Sequence, residues 1–250
     1  MDDDDYLAMI ASIMRNAGRG AQRDLLGNLV LNGVPICDKC LGPTSSAGWK
    51  YCFPCEREGP RPVPRIFFLT YSGITDQSAS DMMNYKGAYP AAAAVLRLRV
   101  LLYFGLKYHA TCMAGNPDGF DVVTFVPSGK TRLSAINGIL PEMSTPIAHM
   151  QYVQPFRDGR AEGYELTKFI AEPALFSGKR VLLVEDSWFK GYNARSAAAA
   201  LYAAGATEVT ILVLARRLGH DFPAQARVIQ ATDASLHFDP TFCPVTLTHH

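Results

Sequence analysis

Four of the six cysteines fall in two matching knuckles, Cys37-Asp-Lys-Cys40 and Cys52-Phe-Pro-Cys55, separated by eleven residues. Two thiolates two residues apart can grip one ion from a tight turn, and two such pairs complete a tetrahedron. The gap is a little shorter than the commonest ribbon spacing, but Gly42, Pro43 and Gly48 suit a tight hairpin between the knuckles. The expectation is a structural zinc on Cys37, Cys40, Cys52 and Cys55, because four protein ligands leave no open position for catalysis. Four free buried thiols, or two redox pairs, are the alternatives. Cys112 and Cys243 lack such spacing and read as buried thiols, and His109, His149, His220 and His237 as scattered singletons.

A second group of residues lies in Val181-Leu-Leu-Val-Glu-Asp-Ser-Trp-Phe-Lys-Gly-Tyr-Asn-Ala-Arg-Ser196. Four apolar residues lead into adjacent carboxylates, and a glycine-containing loop then opens an alanine-rich helix. The N–H groups at a helix N-terminus attract phosphate, and Gly191 permits close approach. Glu185 and Asp186 could accept hydrogen bonds from vicinal ribose hydroxyls. This chemistry suits a sugar phosphate; the alternative is that the carboxylates only cap a loop and helix.

Such groups need a frame to hold them. Asp121–Val126, Val181–Val184 and Glu208–Leu214 read as buried strands. Asp81–Leu106, Glu162–Glu172 and Ala194–Ala204 read as helices, the last stopped by Gly205. Strands alternating with helices predict βαβ units and a mostly parallel sheet, with ligands beyond its carboxyl edge. That rule selects Pro127–Arg132 and Glu185–Asn193. Upstream, Asp5–Leu31 reads as an amphipathic helix interrupted at Gly18 and Gly20. Pro35–Pro64 is too rich in proline, glycine and cysteine to build its own core. The expected division is a helical segment over 1–34, a four-cysteine module over 35–64 and an α/β domain over 65–250.

With 48% hydrophobic and 19% charged residues in 250, the composition is globular. A net charge of +1 disfavours nucleic-acid binding by bulk charge, leaving only a local patch. The longest apolar stretch, Ala91–Leu106, is too short for a membrane span and is broken by Arg97 and Arg99. Asp2–Asp5 is the reverse of a signal peptide's basic start, so a cytoplasmic protein with reduced thiols is expected.

The Val181–Ser196 run resembles the phosphoribosyl-diphosphate (PRPP) motif of type I phosphoribosyltransferases, and with the upstream cysteines the chain is most similar to their ComF-like branch, named for a competence protein in DNA uptake. The resemblance covers roughly residues 35–217. Tyr85-Lys86 matches the lysine-bearing segment after the cysteine module. Val126-Pro-Ser-Gly-Lys-Thr-Arg132 resembles the loop that receives pyrophosphate, and Ser196–Leu201 and Gly205-Ala206 follow the pattern. The implied fold is α/β: a type I phosphoribosyltransferase-like, mostly parallel sheet flanked by helices, plus a small N-terminal zinc module. The implied ligand is PRPP or a related sugar phosphate or nucleotide.

On this resemblance, Glu185 and Asp186 would be catalytic, holding the ribose hydroxyls directly or near a magnesium ion. Ser187, Phe189, Lys190, Gly191, Tyr192 and Asn193 would cradle the 5′-phosphate. Ser128, Gly129, Lys130 and Arg132 would face the pyrophosphate, with Lys86 as a further cation. The chain departs from the pattern at Phe189, Lys190 and Asn193, where small or hydroxyl residues are usual. Lys190 could replace the lost donors with charge, and Asn193 keeps an amide. Three functions stay open: a phosphoribosyltransferase, a non-catalytic sensor of sugar phosphate, and an adaptor meeting protein or DNA through its N-terminal segment. Met143–Gly163 is a candidate mobile loop over the reacting centre, with Tyr152, Phe156, Arg157 and Arg160 as candidate contacts.

Overall fold

Unbroken apolar runs mark strands covered on both faces, and such strands are the rule in parallel sheets. In the computed structural model, these runs become β2 (Val122–Phe125), β5 (Arg180–Trp188) and β6 (Glu208–Arg217). A further strand, β1 (Arg65–Ser72), joins them in the order β1-β6-β5-β2, with every pair parallel. The described residues are 35–44, 48–56, 64–72, 77–86, 89–127, 145–152, 167–219 and 241–249, with Asp5, Ala8 and Ala226 as isolated points. Of the expected N-terminal helix, only Asp5 and Ala8 are described, and both are helical.

Each sheet face has its own cover. Val181, Leu183, Val209, Ile211 and Val213 pack with α5 (Tyr192–Ala203), whose Ala194, Ala197, Ala198 and Leu201 form its buried side. Cys37, Cys40 and Cys55 belong to this same cluster, so the cysteine module is seated on the sheet domain. On the opposite face, Leu182, Val184, Leu212 and Leu214 meet Leu98, Leu101 and Leu102 of α3 (Ala92–Ala114). Met82 of α2 (Gln77–Asn84) packs there as well. Burying each such side chain is worth about 1.5–3 kcal/mol.

Three expectations change. The helix expected over Asp81–Leu106 is two, α2 and α3, and the second runs on to Ala114. The first helix ends at Asn84, and before the second, Pro90 restrains Tyr89 away from helix. The helix expected over Glu162–Glu172 is, where described, a short strand: β4 (Phe169–Ile170) pairs antiparallel with β3 (Gln151–Tyr152). Phe169 is buried edge-to-face against Tyr152 at 5.5 Å, and Glu172 is extended before Pro173, which opens α4 (Pro173–Phe176). Finally, β1 has no counterpart in the expected elements. Gly205 does stop α5, with φ of 89°. A small hairpin of β7 (Phe242–Cys243) and β8 (Thr248–His249) follows, and the first cover element, α1 (Phe53–Glu56), carries the last knuckle cysteine. Among the described residues, no helix is long and apolar enough to cross a membrane.

Candidate functional site

β2 and β5 are parallel neighbours as far as Phe125 and Val184, so Pro127 and Glu185 lie toward the same carboxyl edge. β5 outruns the expected Val181–Val184, however, and stays paired with β6 to Trp188. Of the expected pyrophosphate loop, Ser128, Gly129, Lys130 and Arg132 lie outside the described residues, as do Phe156, Arg157 and Arg160. The β5 side of the edge is described in full.

Strand alternation sends Glu185 and Asp186 to opposite faces. Asp186 is 5% exposed; the Tyr85 hydroxyl donates to it and Lys86 ion-pairs with it, both from the turn after α2. Its second oxygen accepts the Ser187 N–H at 2.6 Å. Glu185 stays partly exposed and accepts the Asp186 N–H at 3.2 Å. These settings drive the two carboxyls apart. Burial, and then the Asp186 charge, raises Glu185 well above the usual carboxylate range. Burial also opposes ionisation of Asp186, but the Lys86 charge and hydrogen bonds with Glu185, Lys86 and Tyr85 outweigh it and hold that carboxyl low. The pair therefore loses its protons in separate steps. Tyr85 stays a neutral donor, because burial and then Asp186 raise its hydroxyl.

After Trp188 the chain turns through Phe189-Lys190-Gly191 into α5. Gly191 is left-handed, with φ of 73°, and a Cβ there would stand 2.1 Å from the Trp188 indole. The loop thus rests directly on Trp188, which packs edge-to-face on Phe68 at 5.7 Å and lies 5.1 Å beneath the Arg195 guanidinium. Arg216 Nη1 donates to the carbonyls of Trp188 and Phe189 at 2.8 and 2.9 Å. The loop backbone is held from below, while no side chain among the described residues caps α5. Its first N–H groups and the positive end of its dipole face the carboxyl edge of the sheet. Phe189 (37% exposed) and Lys190 turn toward solvent, and Tyr192 is half-buried.

Asn193 accepts a hydrogen bond from Lys168, which is only 3% exposed. Sequence reading passed over this lysine, because it sits in a stretch assigned to helix and has no motif around it. Its amino group therefore lies beside the first turn of α5.

The four knuckle sulfurs all lie within 4.8 Å of one another, and Cys40 and Cys52 Sγ are 3.6 Å apart. All four cysteines are free of disulfides. Local backbone bonds shape the first knuckle: Leu41 N–H donates to the Cys37 carbonyl at 2.9 Å, and Cys37 N–H to that of Gly42 at 2.7 Å. Hydrogen bonding among the thiols pushes Cys37 down and Cys55 up. The cluster could hold a metal such as zinc. A tetrathiolate around a divalent ion carries a net negative charge, and the structure supplies its complement: Arg195 Nη2 donates to Cys55 Sγ at 2.8 Å. Arg216 Nε donates to the Cys40 carbonyl at 3.3 Å. Arg195 and Arg216 thus touch both the cysteine cluster and the Trp188–Gly191 loop.

No family profile and no curated protein matches the sequence. Among solved structures, the chain is similar to an allosteric regulatory enzyme of purine biosynthesis, at 27% identity over 44% of this chain and 25% of that one, with a TM-score of 0.28. It is similar to the glutamine PRPP amidotransferase from B. subtilis at 25% identity over 53% of this chain and 30% of that one, with a TM-score of 0.34. A phosphoribosyltransferase from Corynebacterium diphtheriae aligns at 18% identity over 54% of this chain and 83% of that one, with a TM-score of 0.29. The chain thus spans less than a third of the first two enzymes' own lengths, and at these scores the functional reading rests on the site itself.

Proposed function

We propose that the chain binds a phosphorylated ribose, PRPP or a relative of it, at the carboxyl edge of β5 and the N-terminus of α5. One observation carries the reading: parallel strand β5 carries Glu185-Asp186 near its carboxyl end and passes through a glycine loop fixed over Trp188 into a helix that no described side chain caps. The uncapped N–H groups, with Lys168 beside Asn193, receive the phosphate. Glu185, partly exposed and protonated to higher pH, meets a ribose hydroxyl. Lys86, Tyr85 and Ser187 position Asp186 rather than the ligand. The resemblance to type I phosphoribosyltransferases supports the same assignment, as does the meeting of β2 and β5 at one edge. In this reading, the four cysteines hold a structural zinc that supports the loop through Arg195 and Arg216.

Magnesium does not fit between Glu185 and Asp186 as they stand, since Lys86 and Tyr85 already hold Asp186. That pairing favours a second reading, a binding protein that does not transfer the phosphoribosyl group. Calorimetric titration with PRPP, ribose 5-phosphate and free ribose tests both. The first two bind and ribose does not; no heat from either phosphate overturns the site. Pyrophosphate release from bound PRPP selects the transferase, and binding without release selects the sensor.

A further inference from the structure

We propose that His109, Cys112 and Cys243 form a second zinc site, separate from the four-cysteine cluster. The imidazole nitrogen and two sulfurs all lie within 4.8 Å of one another, although Cys243 is remote in sequence from the other two. His109 and Cys112 are three residues apart on α3, so they stand one above the other on a single helix face. Cys243 is held opposite them by the β7–β8 hairpin, through register pairing with Thr248 and a 2.8 Å bond from the Leu247 N–H to its carbonyl.

The donor set is chemically selective. Zn–S bonds of about 2.3 Å and Zn–N bonds of about 2.0–2.1 Å put tetrahedral donors ~3.4–3.8 Å apart, within reach of this cluster. Two thiolates and a neutral imidazole offset the charge of a divalent ion, which lets the site be buried without a nearby cation. His109 is 1% and Cys243 0% exposed. Soft sulfur donors disfavour magnesium and calcium. Among the described residues these three donors make up the cluster, and Cys112 is its partly exposed member. A bound ion would tie the C-terminal hairpin to α3.

The test loads full-length protein with zinc under reductant and then counts tightly held metal after dialysis, in the wild type and in Cys112→Ser/Cys243→Ser. Two equivalents in the wild type and one in the variant support the site. One equivalent in both overturns it. One equivalent in the wild type that the variant loses keeps this site and removes the zinc reading of the four-cysteine cluster. If the double variant does not fold, Cys112→Ser alone serves. Its affinity for the second zinc should fall by at least about 100-fold, since even outer-shell partners are worth about 10–100-fold. Undiminished affinity overturns the proposal, as does a Cys112–Cys243 disulfide, found by intact mass, in zinc-loaded reduced protein.

Discussion

Replacing Gly191 by alanine tests whether the loop is seated on Trp188. Two effects combine at this position. A left-handed alanine costs about 1–2 kcal/mol, and forcing a methyl into a packed site adds about 1–3 kcal/mol. The second effect is expected in full, because the added Cβ would stand 2.1–2.6 Å from three indole atoms of a tryptophan that is itself core. Gly178 is the internal control: its φ is 71°, yet a Cβ there meets nothing within 4 Å. Gly178→Ala should therefore cost only the first amount. With about 2–4 °C lost per kcal/mol in a chain of this size, Tm should fall by about 4–20 °C for Gly191→Ala and about 2–8 °C for Gly178→Ala. Thermal unfolding by circular dichroism, backed by urea midpoints, reads both. Adding Trp188→Phe should recover part of the Gly191→Ala loss, a coupling of at least about 0.5 kcal/mol. Equal losses at the two glycines, with no coupling to Trp188, would refute the packing of the loop.

Four further outcomes follow from the same geometry. The folded form raises the pKa of Glu185, so above the unfolded carboxyl's pKa the native state binds more protons than the unfolded one. Stability then falls as pH rises toward the folded value, by up to about 1.4 kcal/mol per pH unit. Glu185→Gln should flatten that slope in urea titrations; an unchanged slope would contradict the assignment. Asp186, held low, has the opposite sign: its stabilisation is present above the unfolded pKa and is lost as pH falls through the folded one, so Asp186→Asn should destabilise the protein at neutral pH. Lys168→Ala should weaken ribose 5-phosphate about 10- to 150-fold, the worth of a charge-assisted contact. Lys190→Ala, at a solvated position, should change it by less than about 5-fold, and the reverse ranking would move the phosphate to the outer loop. Chelating metal from the four cysteines in a Trp49→Phe background should red-shift Trp188 emission, because Arg195 and Arg216 link the cluster to that indole. An unshifted spectrum would separate the two.

Much of the frame is legible in the sequence because local pattern and tertiary setting agree. The runs around Val123, Leu183 and Ile211 are apolar on both faces, and parallel strands demand that; the alanines of α5 suit close packing on a sheet. β1 is less legible. Arg65-Ile-Phe-Phe-Leu-Thr-Tyr-Ser72 mixes aromatic and hydroxyl residues, and Thr70 is buried only because its hydroxyl finds the Leu214 carbonyl at 2.9 Å on β6. Phe169 becomes strand through its partner Tyr152, a contact that no local window contains. The paired cysteines announce themselves by spacing, whereas His109, Cys112 and Cys243 are assembled by the fold and leave no linear signal. Glu185 and Asp186 look alike in sequence. The opposite directions in which their carboxyls are shifted come from the strand pleat and from Lys86 and Tyr85, which bond directly to Asp186.

The central claim is that the N-terminus of α5 holds a ribose phosphate. Amide NMR on full-length protein titrated with ribose 5-phosphate measures this most directly. The account predicts saturable shifts centred on the N–H groups of Gly191, Tyr192, Asn193 and Ala194, with smaller ones at Glu185, and weaker binding when Lys168 is replaced by alanine. Shifts centred elsewhere, or none at these amides at millimolar ligand, would contradict it.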